Sequence, residues 1–390
     1  MTVRLGRLVE QVTSISASRP LPFLALEHLD AGFGAVLADV ELNEVTPDPT
    51  GMLQFTAGDV LFGKLRPYLA KSWLADRDGY CSTELIAMRP RADAIEGRWL
   101  AYLVQSKPFV GWAVATSDGV KMPRTSWEKL RLYQVAPPAI TDQRAIADNL
   151  DAETARIGHL IAAHRRLLRV LAERRSSLLT AAFARTDNAR TRLKRLLAQP
   201  PCYGVLVPRF LDDGVPFVRV NDLEAISRNE DPRLAIEPDQ SAEYQRTVVE
   251  GGDILLSVVG SVDKVAVVPD RLAGANVARA VCRLVPAHGV CGELLALWLQ
   301  TPQFREQALR STSADTAQPT LGMEDVANFS VAYPIPTARD AFLRELKIAL
   351  GRLEGAQAAA EREIDLLLER RQALITAAVV GQLEIPRVAA

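Results

Sequence analysis

Two stretches of the chain, Thr141 to Ala184 and Thr337 to Val380, contain no proline, and in both the aliphatic residues recur at steps of three and four. Ile146, Leu150, Ile157, Leu160, Ile161, Leu167, Leu168, Leu171, Leu178 and Leu179 form the first stripe; Leu343, Leu346, Leu350, Leu353, Ile364, Leu367, Leu368, Leu374 and Ile375 form the second. That period, with charged residues between, predicts two long amphipathic helices. Thr141-Asp142 and Thr337 follow prolines and are expected to cap them. At 1.5 Å per residue, some 40 residues make a rod of roughly 60 Å, too long to lie across one small domain. An apolar seam of that length needs a partner as long, so the helices are expected to pair as a parallel or antiparallel coiled coil. The alternative is that each folds back onto its own domain.

The segments before each helix carry another pattern. Short β-type runs such as Leu21 to Leu26, Asp59 to Phe62, Val215 to Val220 and Lys264 to Val268 are broken by Gly, Pro and Asp. Short helices are expected at Trp99 to Gln105 and Cys291 to Gln300, each stopped before a Lys-Pro or Thr-Pro dipeptide. The predicted class is α+β, with two mixed globular domains each followed by a long helix. The expected boundaries are 1–138 for the first domain, 139–185 for its helix, 186–336 for the second domain, 337–381 for the second helix, and 382–390 for a tail.

The chain is also written twice. Pro22-Phe23-Leu24-Ala25-Leu26-Glu27-His28-Leu29 returns as Pro216-Phe217-Val218-Arg219-Val220-Asn221-Asp222-Leu223, an offset of 194 residues (216 − 22). Gly58-Asp59-Val60-Leu61-Phe62 recurs as Gly252-Asp253-Ile254-Leu255-Leu256 at the same offset. Phe109 is answered by Phe304, and Met122-Pro123 by Gln318-Pro319, at 195 and 196. Glu173-Arg174-Arg175 through Thr180-Ala181-Ala182 returns as Glu369-Arg370-Arg371 through Thr376-Ala377-Ala378 at 196. A period this long marks a duplicated domain pair, not a solenoid of 20 to 50-residue repeats.

Composition narrows the function without naming it. The 390 residues are 48% hydrophobic and 24% charged, ordinary for a folded protein of more than one domain. The longest apolar runs, such as Leu294 to Leu299 and Ala373 to Val380, fall far short of the roughly 20 residues that span a bilayer. The first residues lack the apolar core of a secretory signal, so a cytoplasmic protein with no membrane partner is expected. Cys81, Cys202, Cys282 and Cys291 are widely scattered without a C-x-x-C pair, and are read as reduced thiols. Lys plus Arg number 46 against 47 for Asp plus Glu, a net charge of −1 that gives no global basic footprint but leaves room for a local one.

Catalytic signatures are missing. There is no phosphate loop and no G-x-S-x-G elbow, and Gly32-Phe33-Gly34 lacks the rest of a dinucleotide fingerprint and reads as a hairpin turn. The only Glu-x-Lys, Glu345-Leu346-Lys347, lies within the second helix, where nuclease metal ligands are not expected. Asp59 and Asp253 share one repeat position, but Gly-Asp before a β run is expected to be a turn. What stands out is polar and basic loops: Lys64-Leu65-Arg66-Pro67-Tyr68 with Lys71, and Ser117 through Ser126, which includes Lys121, Arg124 and Thr125. Such side chains in Gly/Pro loops suit phosphate contacts, and arginine also reads base edges through paired hydrogen bonds.

These residues resemble the specificity (S) subunit of type I restriction-modification systems. Gly58 through Leu69 with Cys81-Ser82-Thr83-Glu84 is similar to one class of that family's target recognition domains. Gly252 through Ser257, then Lys264-Val265-Ala266 and Asn276, is similar to a second class. The ends of the long helices and the entry Pro137 to Gln143 resemble the family's conserved regions; at the second entry Arg339 or Asp340 replaces the usual glutamine. The resemblance implies a chain without a catalytic centre or cofactor. Each domain would read one half of a bipartite, asymmetric target in double-stranded DNA. The helices would form an antiparallel coiled coil that fixes the spacer and docks two methyltransferase subunits, and two restriction/motor subunits would complete the complex. S-adenosylmethionine, ATP and Mg²⁺ would bind those partners.

On this basis the expected DNA contacts of the first domain are Lys64, Arg66, Tyr68, Lys71, Lys121, Arg124, Thr125 and Ser126. Those of the second are Ser257, Ser261, Lys264, Asn276, Arg279, Gln318 and Thr320. Arg66 and Arg124 are expected to read bases, and Lys64, Lys121 and Lys264 to hold phosphates. No metal site is expected. Competing readings are a two-armed protein-interaction adaptor, which the balanced charge permits, and a standalone DNA nuclease or methyltransferase, against which the missing motifs weigh.

Overall fold

The computed structural model describes residues 2–13, 19–48, 50–184, 190–312, 320–334 and 336–383. The chain divides into two compact units, residues 1–166 with 360–390, and residues 167–359.

In the first unit, Val9–Gln11, Leu85–Pro90, Val60–Gly63 and Ser72–Leu74 form an antiparallel four-stranded sheet in that order. Strand alternation places Val60 and Phe62 in a core with Trp99, Leu103 and Phe109, and turns Leu61 to a second core with Leu24, Phe55 and Cys81. A further sheet, ordered Glu44–Val45, Leu21–Leu24, Gly79–Ser82, Met52–Phe55, carries one parallel pair, Phe23 opposite Tyr80 and Leu24 opposite Cys81. The unit's ends meet in a two-stranded clasp, Val3 opposite Val135 and Arg4 opposite Gln134.

The second unit repeats this plan. Cys202–Tyr203, Val281–Leu284, Ile254–Ser257 and Val265–Val267 form a four-stranded sheet of the same order, and Phe217 and Val218 pair in parallel with Asn276 and Val277. Arg190–Arg192 and Ser330–Ala332 make the matching clasp. The short helices correspond too. The Ser106 hydroxyl donates to the Leu103 carbonyl and that of Thr301 to the Trp298 carbonyl, both at 2.7 Å, just before the helices Lys107–Ala115 and Pro302–Ser311. Phe109 and Phe304 are fully buried behind them.

The two long helices are Ile140–Ala184 and Pro336–Val379. The first starts earlier than its expected cap: the Gln143 amide donates to the Ala139 carbonyl at 2.9 Å, so Thr141 and Asp142 lie inside the first turn. Buried Gln143 accepts from the Glu96 amide at 2.8 Å and donates to the Pro138 carbonyl at 2.9 Å, tying the helix entry to the globular part. At the second entry Arg339 donates to the Gly289 carbonyl and lies 4.9 Å from the Tyr333 ring, a different side chain making an equivalent tie.

Within the first unit, Leu150 of the first helix shares a core with Ile375, Ala378 and Val379 at the end of the second. Within the second unit, Leu179 and Phe183, late in the first helix, pack with Leu346 and Leu350, early in the second, and the Phe183 and Phe342 rings meet edge-on at 5.7 Å. Early against late in one pair and late against early in the other means that the helices run antiparallel. Each globular part is therefore held by the far end of the other half's helix. Arg371 donates to the Gly32 and Phe33 carbonyls and to Gln105 Oε1, at 2.6, 2.9 and 3.3 Å, with its guanidinium 5.1 Å from the Phe33 ring centroid. Its repeat counterpart Arg175 donates to Gln300 Oε1 at 2.5 Å, and Gln300 is the counterpart of Gln105. Among the described residues no helix is long and apolar enough to cross a membrane.

Candidate nucleic-acid interface

The paired carboxylates at the repeat position are structural. Asp59 accepts from the Thr56 amide at 2.8 Å and takes two bonds from Arg89, Nε at 2.8 Å and Nη2 at 2.7 Å. Asp253 accepts from the Glu250 amide and from Arg283 Nε, both at 2.7 Å. Gly58 and Gly252, at φ 91° and 87°, make the left-handed step of each turn. A carboxylate that closes its own turn and neutralises a fixed arginine has no open face for a metal or substrate. Among the described residues no cluster of three His, Cys, Asp or Glu side chains is arranged to hold a metal ion.

The basic loops, by contrast, come together. Where the strand Val60–Gly63 ends, Leu65 bridges Arg124 across nearly sixty residues of sequence. The Arg66 amide donates to the Pro123 carbonyl at 2.8 Å and the Thr125 amide to the Lys64 carbonyl at 2.9 Å, so the two loops form one surface. Arg66 and Ala70 adopt φ 50° and 47°, unusual for non-glycine residues, on either side of the single turn Pro67–Leu69. The turn is held in that conformation by its neighbour. Strain of about 1–3 kcal/mol per such residue concentrates where side chains are presented for function.

On this surface Arg66, Tyr68, Lys121 and Arg124 are exposed. Arg66 and Lys121 have no ion pair or side-chain hydrogen bond among the described residues, while Arg124 Nη2 pairs with Glu84 at 2.7 Å. The Lys64 amine donates to the Thr83 carbonyl at 2.5 Å; burial first, then the Arg124 charge, lowers its pKa. Between Asp118 and Arg124, which bridge each other, the loop tip carries Val120, wholly exposed, and Met122, 54% exposed. Sequence reasoning took Met122 only as a mark of the repeat and passed over Val120, because apolar residues in a loop carry no binding motif.

Three expectations for the first domain need correction or narrowing. The Lys71 amine is occupied by the Leu26 carbonyl at 3.0 Å. Thr125 is buried beneath the loop. Ser126 bonds the Glu128 carboxylate at the start of the helix Trp127–Leu130.

The second unit has the same surface with other side chains. Val259 bridges Thr320 where Leu65 bridges Arg124, at the same end of the corresponding strand. Thr320 and Arg279 are exposed. Ser261 donates to Asp263 at 2.5 Å, and Lys264 pairs with Glu224 at 2.8 Å. Two expected contacts are internal. Ser257 is buried and accepts from the Lys264 amide at 3.0 Å. Fully buried Asn276 accepts from Thr247 at 2.6 Å and donates to Ser241 Oγ at 3.0 Å, occupying the strand position that Tyr80 holds in the first unit. Gln318 lies outside the described residues.

No protein-family model matches the chain. It is 25% identical over 248 residues to the EcoBI type I restriction enzyme specificity subunit of Escherichia coli, across 56% of this chain and 52% of that one. With the EcoDI specificity subunit of the same organism it shares 26% identity over 98 residues, 25% and 21% of the two chains. The match thus spans about half the length of the first relative and about a fifth of the second. A chain from work described as the structural basis underlying complex assembly and conformational transition of the type I R-M system superposes with a TM-score of 0.73 over 98% of both chains, at 19% identity, a likeness of fold. The resemblance legible in the repeats and turns is borne out: the chain is a relative of the specificity subunits of type I restriction enzymes.

Proposed function

We propose that the chain is the DNA sequence-specificity subunit of a type I restriction-modification complex. Each globular part reads one half of a bipartite target in double-stranded DNA. The paired helices fix the spacer and dock two methyltransferase subunits, and two restriction subunits join them. S-adenosylmethionine, ATP and Mg²⁺ belong to those partners, and this chain supplies recognition without chemistry of its own.

The observation that carries the reading is the bridge between two loops, Leu65 with Arg124 and Val259 with Thr320, at the same end of the same sheet in both units. A scaffold kept constant beneath presented side chains that differ is what two unlike half-sites require. Arg66 and Arg124 in the first domain, and Arg279 and Thr320 in the second, are the base readers in this reading; Lys121 contacts phosphates, whereas the Lys64 amine, like that of Lys71, is held by a backbone carbonyl.

The test is co-expression with the methyltransferase subunit in a methylation-free host, followed by sequencing for methylated adenine. A single bipartite motif is expected, with Arg124→Ala changing one half only. Methylation without a motif, or a motif untouched in both halves by Arg124→Ala and Arg66→Ala together, refutes the assignment. A protein adaptor yields a stable complex with no methylation.

A further inference from the structure

We infer that Val120 and Met122 form an apolar tip that enters the DNA major groove and reads the C5-methyl group of a thymine in the half-site of the first domain. The inference rests on the function proposed above and adds to it a contact that charge alone does not supply.

The loop is built to present these side chains. The Asp118 and Arg124 amides exchange hydrogen bonds with each other's carbonyls at 3.0 and 2.9 Å, closing a short tip in which Gly119 takes the left-handed conformation at φ 84°. The base of the tip is fixed again by the Leu65 to Arg124 bridge and by the Arg66 to Pro123 bond. A rigidly closed tip loses little conformational entropy on binding. Yet its two apolar side chains touch solvent, at 100% and 54% exposure, in an arrangement that contributes nothing to the core.

The charges around the tip select the partner. At the base of the tip Arg124 pairs with Glu84 and Lys129 with Asp118, and Lys64 feels the charges of Arg124, Glu84 and Glu128. Lys121, next to Met122 in the chain, and Arg66, whose amide bonds the Pro123 carbonyl, have no acidic partner among the described residues. An apolar point beside unpaired cations fits a groove whose walls are phosphates and whose floor carries a methyl group. In the major groove that methyl distinguishes thymine from the other bases. A protein partner would leave the free cations to be matched by carboxylates, and nothing about the apolar pair would then depend on a base.

The test uses random duplex pools of equal design, one made with thymidine and one with deoxyuridine, which lacks only the methyl group. The full chain, co-expressed with its methyltransferase subunits, is selected against both. The expected result is a bipartite consensus with a fixed thymine in the half altered by Arg124→Ala. Substituting uracil at that position should weaken binding about fourfold, the worth of one buried methyl. The double variant Val120→Ser, Met122→Ser should bind the thymine and uracil duplexes equally and leave the other half of the consensus unchanged. Because both side chains are exposed, the variant is expected to keep its thermal midpoint.

A consensus in which uracil binds as well as thymine, or one the double variant reads unchanged, overturns this inference and leaves the proposed function standing. No consensus from either pool overturns both.

Discussion

The ion pairs at the repeated aspartate differ sharply in burial and allow its cost to be measured. Asp253 and Arg283 are 4% and 8% exposed, whereas Arg89, which pairs with Asp59 from two residues further along the corresponding strand, is 46% exposed beside an Asp59 that is 2% exposed. Removing Arg283 by an Arg283→Ala substitution strands a buried carboxylate and frees the Arg246 carbonyl, which Arg283 Nη1 holds at 3.0 Å. Breaking a buried pair in this way costs about 3–5 kcal/mol. Arg89→Ala opens Asp59 to water as it removes the cation, so its cost is that of a half-exposed pair, about 1 kcal/mol. For units of this size each kcal/mol shifts the midpoint by about 2–4 °C, so the expected losses are about 6–20 °C for the second unit and about 2–4 °C for the first. Because the units need not melt together, native-state hydrogen exchange should be followed on peptides from Val60–Gly63 and Ile254–Ser257 alongside calorimetry. Replacing both partners, Asp253→Asn with Arg283→Met, keeps an acceptor for the Glu250 amide and should recover part of the loss. If Arg89→Ala destabilises as much as Arg283→Ala, burial is not what sets the value of these pairs.

Other substitutions probe the rest of the molecule. Lys121→Ala should lower the slope of log affinity against log salt by about 1 and weaken all DNA sequences alike. Lys71→Ala should leave that slope unchanged, since its amine is already bonded to the Leu26 carbonyl, and should instead lower stability by about 1 kcal/mol in urea titration. Arg371→Ala should raise hydrogen exchange in the Gly32 turn and at Gln105, with no such change for Arg371→Ala at Gln300. Burial pushes the Cys81 thiol up to about 12 from 9.0. Below pH 9 both states keep the proton, and between about 9 and 12 only the unfolded chain releases it, so stability falls as pH rises through that window. Cys81→Ala should flatten this part of the urea-midpoint curve for the first unit.

The long helices were legible because a proline-free 3.6-residue period leaves little else for the chain to do, and the duplication because turn residues such as Gly58-Asp59 and Gly252-Asp253 are under the same backbone demand twice. The candidate surface was half legible. Cationic loops announce themselves, so Arg66, Lys121 and Arg124 were legible, and the structure brings them to one exposed surface. Polar residues that serve the interior look the same in sequence as those that face a ligand: Asn276 depends on Thr247 and Ser241, and Ser257 on the Lys264 amide, pairings set by sheet register. The repeat held a signal that was only partly used. Arg89 and Arg283, Gln105 and Gln300, and Arg175 and Arg371 stand at nearly the same offset, and aligning the halves residue by residue would have exposed both the ion pairs and the helix joints.

The two-stranded clasps, Val3–Arg4 with Gln134–Val135 and Arg190–Arg192 with Ser330–Ala332, bear on how such a chain evolves. They bring the entry and exit of each globular part side by side, so everything between them is a closed excursion. Its surface loops can lengthen at little cost, about 0.6 kcal/mol per doubling of a flexible loop. A gene segment that begins and ends at the clasp can therefore be exchanged for another of different length, provided it brings the side chains that meet the helices: a glutamine for the waiting arginine and a core face such as the one Leu150 and Ile375 share. Recombination at two short sites would replace the whole surface each part presents in one event, where point substitution changes it one residue at a time.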